Sequence, residues 1–134
     1  MILTSLTRFR EAGLLFMRVA LGCFYIYAHG WPKLVGGIAK WKAVGAAMKH
    51  VGITFAPAFW GFMAAFSESI GCALFVLGLF FRPSCILLVI TLSVASIMDY
   101  HNGGVVKASH AIELAIVFFS LIFIGPGKFS VDKN

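Results

Sequence analysis

Three ionisable residues stand inside long apolar stretches of this chain: Arg18, Glu68 and Glu113. His29, Asp99 and His110 stand near the ends of such stretches. A carboxylate in an apolar setting suits proton transfer, because burial disfavours its charged form. An arginine offers a fixed positive charge to an oxygen that gains negative charge. Imidazoles nearer the surface donate hydrogen bonds or relay protons. A charge at bilayer depth costs about 2.5–3.5 kcal/mol on insertion scales, so such groups persist by pairing or by lining a polar cavity.

The elements that must position these residues are membrane helices. Of 134 residues, 60% are hydrophobic and 12% charged, with a mean hydropathy of +0.95. A soluble domain carries about 25% charged residues. The composition therefore points to one integral membrane domain, residues 1–134. The net charge of +6 resides mostly in lysines and arginines that flank apolar runs. That placement suits anionic headgroups and excludes nucleic acid as the expected partner. Cys23, Cys72 and Cys85 form no C-x-x-C pair, which argues against a disulfide framework or a dithiol relay.

Hydropathy and helix-breaking residues predict an all-α bundle of four transmembrane helices. The expected spans are residues 12–28, 59–81, 83–98 and 109–124. The first is read as a retained helix, since no small-x-small cleavage pattern follows it. It is expected to stop at His29-Gly30-Trp31-Pro32, the second at Arg82-Pro83, and the fourth at Gly125-Pro126-Gly127. Asn102-Gly103-Gly104 marks a turn within a loop over residues 100–108. The first loop is long. Trp41, Val44, Met48 and Val51 recur there at helical spacing, as in an interfacial amphipathic helix or a solvated loop helix. Four spans put both termini on one side. Arg8, Arg10, Arg82, Lys128 and Lys133 then oppose Lys33, Lys40, Lys42, Lys49 and Lys107. The count is even. Arg8 and Arg10, beside the first helix, favour cytoplasmic termini.

Helical spacing places Arg18, Gly22, Tyr25 and His29 on one face. Gly61, Ala64, Ala65, Glu68 and Cys72 share a face of small residues that should point inward. At about 1.5 Å per residue, Arg18 and Glu68 fall at similar depth. The expectation is an Arg18–Glu68 pair at the floor of a polar funnel, with Glu113, His110, Asp99 and His29 nearer the long-loop side. A pair that merely locks two helices is the competing reading. No tight His/Cys/Asp/Glu spacing predicts a metal or haem site.

At these residues the chain resembles the DoxX family of small bacterial membrane proteins. Arg18-Val19-Ala20-Leu21-Gly22 followed by His29-Gly30-Trp31-Pro32-Lys33-Leu34 is similar to the family's Arg-x-x-x-Gly and His-Gly-x-x-Lys-Leu. Glu68-Ser69-Ile70-Gly71 and Gly78-Leu79-Phe80-Phe81-Arg82 resemble its Glu-x-x-Gly and Gly-Leu-x-x-Arg. Glu113-Leu114-Ala115 and the ending Gly125-Pro126-Gly127-Lys128-Phe129-Ser130-Val131-Asp132 continue the likeness. The resemblance implies a four-helix bundle in the bacterial inner membrane and a link to quinone-dependent redox work, as a thiosulfate:quinone oxidoreductase subunit or a stress-complex partner.

Two functions follow as expectations. In the first, Arg18, Glu68 and Glu113 act on a quinone, and Tyr25, His29, Lys33, Asp99 and His110 bind it, with electrons arriving from a small donor or a partner redox subunit. In the second, the chain is a noncatalytic scaffold or a binder of a lipid-like molecule. A homodimer through the small-residue face with Gly71 and Gly78 is also expected.

Overall fold

The computed structural model describes residues 3–132, and every regular element among them is helical. Lys133, counted above with the terminal charges, lies outside the described residues. Among the described residues, three helices are long and apolar enough to cross a membrane: Leu3–Val35, Pro57–Leu77 and Phe81–Ile124.

The first begins as a 3-10 segment (Leu3–Phe9) and continues as α1 (Arg10–Tyr25). It widens into a π turn (Ile26–Gly30) and ends as α2 (Trp31–Val35). The stop expected at His29-Gly30-Trp31-Pro32 is thus a change of helix type. Pro32 has no N–H to bond four residues back. Just ahead of it, the Trp31 N–H reaches five residues back to the Ile26 carbonyl, and the helix runs on.

The long loop forms α3 (Gly37–Gly45) and a 3-10 segment (Ala46–Val51). The sequence suggested a helix lying on the membrane surface. Instead α3 packs antiparallel on α4 (Pro57–Phe66). Two glycines permit this. A Cβ on Gly45 would collide with the Pro57 carbonyl, and one on Gly61 with the Trp41 carbonyl. The Trp41 indole N–H also donates to the Lys33 carbonyl at 3.0 Å, tying α3 back to α2.

The second long helix comprises α4, a second π turn (Ser67–Gly71) and α5 (Cys72–Leu77). It ends at Gly78, whose φ of 70° is left-handed, rather than at Arg82-Pro83.

The third, α6 (Phe81–Ile124), has 44 residues. As a straight rod it would measure about 66 Å, twice a bilayer core. It is not straight. Gly104 has φ 77° and ψ −165°, outside any helix. Arg82 Nε donates to the Ile122 carbonyl at 2.9 Å, although 40 residues separate them. The two halves therefore fold back on each other. The Phe75 ring touches Phe81 of one half and Phe118 of the other. The loop expected over residues 100–108 is reduced to the break at Gly104.

Tyr25, Cys72, Phe75, Phe81, Cys85, Leu88 and Phe118 form the core. Large apolar side chains such as Phe16, Phe24, Ile90, Phe119 and Phe123 face outward. An apolar outer surface on this scale belongs in lipid.

The C-terminal segment closes one end. Val131 and Asp132 N–H groups donate to the Leu77 and Gly78 carbonyls at 3.2 and 2.8 Å. The Asp132 carboxylate accepts from the Phe80 and Phe81 N–H groups at 3.0 and 2.9 Å. It thereby satisfies donors that a helix start leaves open. The Lys128 N–H donates to Glu11 Oε2. Both described ends of the chain thus meet at one end of the bundle.

Candidate functional site

The two π turns meet at the centre of the site. Gly30, the last residue of the first, lies against the Glu68 backbone of the second so closely that any Cβ would collide with the Glu68 carbonyl. π turns recur at functional sites because the inserted residue re-aims neighbouring side chains. Here they bring Glu68 next to Tyr25 and Lys33.

Glu68 is 1% exposed. Its two carboxylate oxygens have different partners. The buried Tyr25 hydroxyl donates to Oε1 at 2.9 Å. The Lys33 ammonium donates to Oε2 at 2.5 Å, the only ion pair among the described residues. Lys33 reaches back from α2, with its side chain 24% exposed. A buried carboxylate needs such a partner, because an unpaired charge in a low-dielectric interior is strongly unfavourable.

Beside this group lie two histidines. The His29 ring is 4.9 Å from the Tyr25 ring, centroid to centroid, and 5.4 Å from the His110 ring. His29 is half-buried and His110 exposed. Five expected site residues therefore converge: Tyr25, His29, Lys33, Glu68 and His110.

Three do not. Arg18 is buried but makes no pair with Glu68. Its guanidinium donates to the Val76 carbonyl at 3.0 and 3.3 Å and to the Pro126 carbonyl at 2.8 Å. Those carbonyls lie beside chain turns at Gly78 and Gly125, where helices end and backbone acceptors are left open. Arg18 joins the first helix to α5 and the C-terminal segment, at the other end of the bundle from the long loop. Similar depth placed Arg18 beside Glu68 on paper, but Lys33 already occupies the carboxylate. Glu113 is exposed and Asp99 half-buried, and neither has a hydrogen bond or ion pair among the described residues. The expected Arg18–Glu68 pair at the funnel floor is thus replaced by Lys33, Glu68 and Tyr25, and Glu113 stands apart from them. Gly71 and Gly78, the glycines of the expected dimer face, are both buried, with Ser130 seated on Gly78.

Lys33 and Glu68 border a cavity of about 450 Å³. Its walls come from α3 and the following 3-10 segment (Val44, Met48), from α4 (Met63) and from the first half of α6 (Leu87, Ile90, Met98). Lys40 is the other charged residue on it. No local sequence pattern marks this space, because its walls are ordinary apolar residues from three separate elements. At the loop end, the 3-10 segment is held to α6 by His50 stacked on His101, with centroids 4.5 Å apart and planes 11° apart. Partial burial, then His101 and Lys49, hold His50 below the usual imidazole range. Among the described residues, no three His, Cys, Asp or Glu side chains converge as a metal site.

The family model for DoxX matches residues 13–101. The chain belongs to the DoxX family. The matched region contains Tyr25, His29, Lys33 and Glu68, and all the cavity walls. His110 and the C-terminal segment held by Arg18 lie beyond this DoxX match. No curated protein and no solved structure matches the chain significantly.

Proposed function

We propose that this DoxX-family membrane protein crosses the bacterial inner membrane four times and holds a quinone-like molecule against the Lys33–Glu68 pair. The fold-back at Gly104 supports four crossings, since each half of α6 has the roughly 20 residues a span needs. Arg8 and Arg10 support cytoplasmic termini.

The observation that carries the ligand reading is the apolar cavity ending on a buried, hydrogen-bonded carboxylate. Its volume lies within the range of about 300–1,000 Å³ common to small-molecule sites. The donor set suits a ring bearing carbonyl oxygens: apolar walls for the ring, and an ammonium for an oxygen. A bound quinone would take up two electrons and two protons at its carbonyl oxygens. Lys33 would hold one such oxygen and favour negative charge there. Glu68 would hold or release a proton at the cavity wall. Met63, Leu87 and Met98 would orient the ring and exclude water. Electrons would come from a partner redox subunit, for which the basic residues Lys40, Lys42 and Lys49 offer a docking surface.

The test is mass spectrometry of the organic extract from gently purified protein, beside the Glu68→Gln variant at matched folding. Stoichiometric quinone in the wild type, reduced in the variant, is the expected result. A folded wild type from quinone-rich membranes that yields none would sink the reading. Another lipophile in its place would favour a noncatalytic lipid binder.

A further inference from the structure

Glu68 stands between two different surroundings. Oε2 meets Lys33 at the cavity. Oε1 meets the Tyr25 hydroxyl, on the side where His29 and His110 follow. None of Tyr25, His29 and His110 borders the cavity. The series runs from an exposed imidazole, through a half-buried one, to a buried phenol and a buried carboxylate.

We infer that Tyr25, His29 and His110 form a proton route from the surface to Glu68, separate from the path by which a ligand enters the cavity. The inference rests on the proposed role of Glu68 as a group that changes protonation state. Each member can accept a proton at one position and release one from another. A proton taken up by His110 passes to His29. His29 then protonates the Tyr25 oxygen as the Tyr25 hydroxyl proton moves to Glu68 Oε1. Tyr25 ends unchanged, and the net transfer is one proton from solvent to the carboxylate. Ring separations of 4.9 and 5.4 Å are short enough for one bridging water or a modest ring rotation to connect each pair. Among the described residues, the titratable groups that face Glu68 are Lys33, Tyr25 and His29 and, from α5, Cys72. From α6, His110 acts on His29, as do Lys33 and Glu68. Thr91 and Ala95 of α6 face the cavity without titrating.

Separate routes have a consequence. A lipophilic ligand that fills the cavity would cut Glu68 off from any water entering that way. Protons would still reach Oε1 from behind.

The experiment is a pH jump on the full chain in lipid nanodiscs, without added quinone, followed by infrared absorption of the Glu68 carboxyl. That band is assigned by its loss in Glu68→Gln and its shift in Glu68→Asp. His29→Phe and His110→Phe should each slow protonation by about tenfold or more, with unchanged final amplitude. External imidazole should restore the rate in His110→Ala. Unchanged rates in both histidine variants would overturn the route, as would slowing that imidazole does not relieve. A Glu68 carboxyl that never protonates across the range where the wild type stays folded would also overturn it. Quinone in the extract together with unaffected rates would remove the route and leave the ligand reading standing. Slowed rates without quinone would do the reverse.

Discussion

Lys33 Nζ sits 2.5 Å from Glu68 Oε2, and Arg18, on the same long helix, is committed to backbone carbonyls instead. The two cations therefore do different work. Lys33 belongs to the site, whereas Arg18 fastens the far end of the bundle.

Lys33→Met leaves a buried carboxylate without its countercharge. The expected loss is on the order of 2 kcal/mol, below the 3–5 typical of fully buried pairs because Lys33 is partly exposed. Adding Glu68→Gln should recover most of that loss. Thermal unfolding of both single variants and the double variant measures the coupling directly.

Arg18→Met should destabilise the chain without emptying the cavity. Hydrogen bonds from a charged group contribute roughly 1.5–3 kcal/mol. The expected signature is local. Hydrogen exchange should rise over residues 125–132, which the guanidinium and Asp132 hold in place. Ligand affinity should stay within about twofold of wild type, because Arg18 does not border the cavity and shares no bonding partner with Lys33 or Glu68.

Gly30→Ala should damage the site and the fold together. The added Cβ meets backbone, which cannot rotate away as a flexible side chain could. The π turns must then part, moving Glu68 from Tyr25 and Lys33. A Tm drop of several degrees and loss of bound ligand are expected, whereas Gly13→Ala, where a Cβ meets nothing, should leave both intact.

Stability should fall on acidification through the histidine range. Protonation of His50 is disfavoured in the native state, by partial burial first and then by His101 and Lys49. The unfolded chain therefore binds more protons as pH drops below about 6.5, and stability declines from there until His50 is protonated in both states. Replacing both rings, His50→Gln with His101→Gln, should flatten this part of the pH–stability curve.

Much of the fold can be read in the sequence, and the reasons are specific. Arg18, Gly22 and Tyr25 share a helical face, and all are buried. Gly61, Ala65, Glu68 and Cys72 likewise point inward, as their small neighbours predict. Asn102-Gly103-Gly104 marks the place where α6 breaks. The pairing of Glu68 was not legible. Depth arithmetic assumes one rise per residue and a helix that ends at Pro32. The chain instead widens through a π turn and continues, which returns Lys33 to the carboxylate. Arg18 did carry a usable signal: Gly78 and Gly125-Pro126 mark helix ends, and cations suit helix C-termini. The cavity carried none, because no local pattern records how α3, α4 and α6 face one another.

The most direct test of the account is photolabelling with an azido-quinone in lipid nanodiscs, read by peptide mapping. A quinone site at Lys33 and Glu68 predicts adducts on cavity walls, Met63 and Met98 foremost, that unlabelled quinone suppresses and that the cavity-filling variant Ala95→Phe abolishes without unfolding the protein. Labelling confined to lipid-facing residues such as Phe16 and Phe123, insensitive to competitor and to Ala95→Phe, would contradict a quinone site at Lys33 and Glu68.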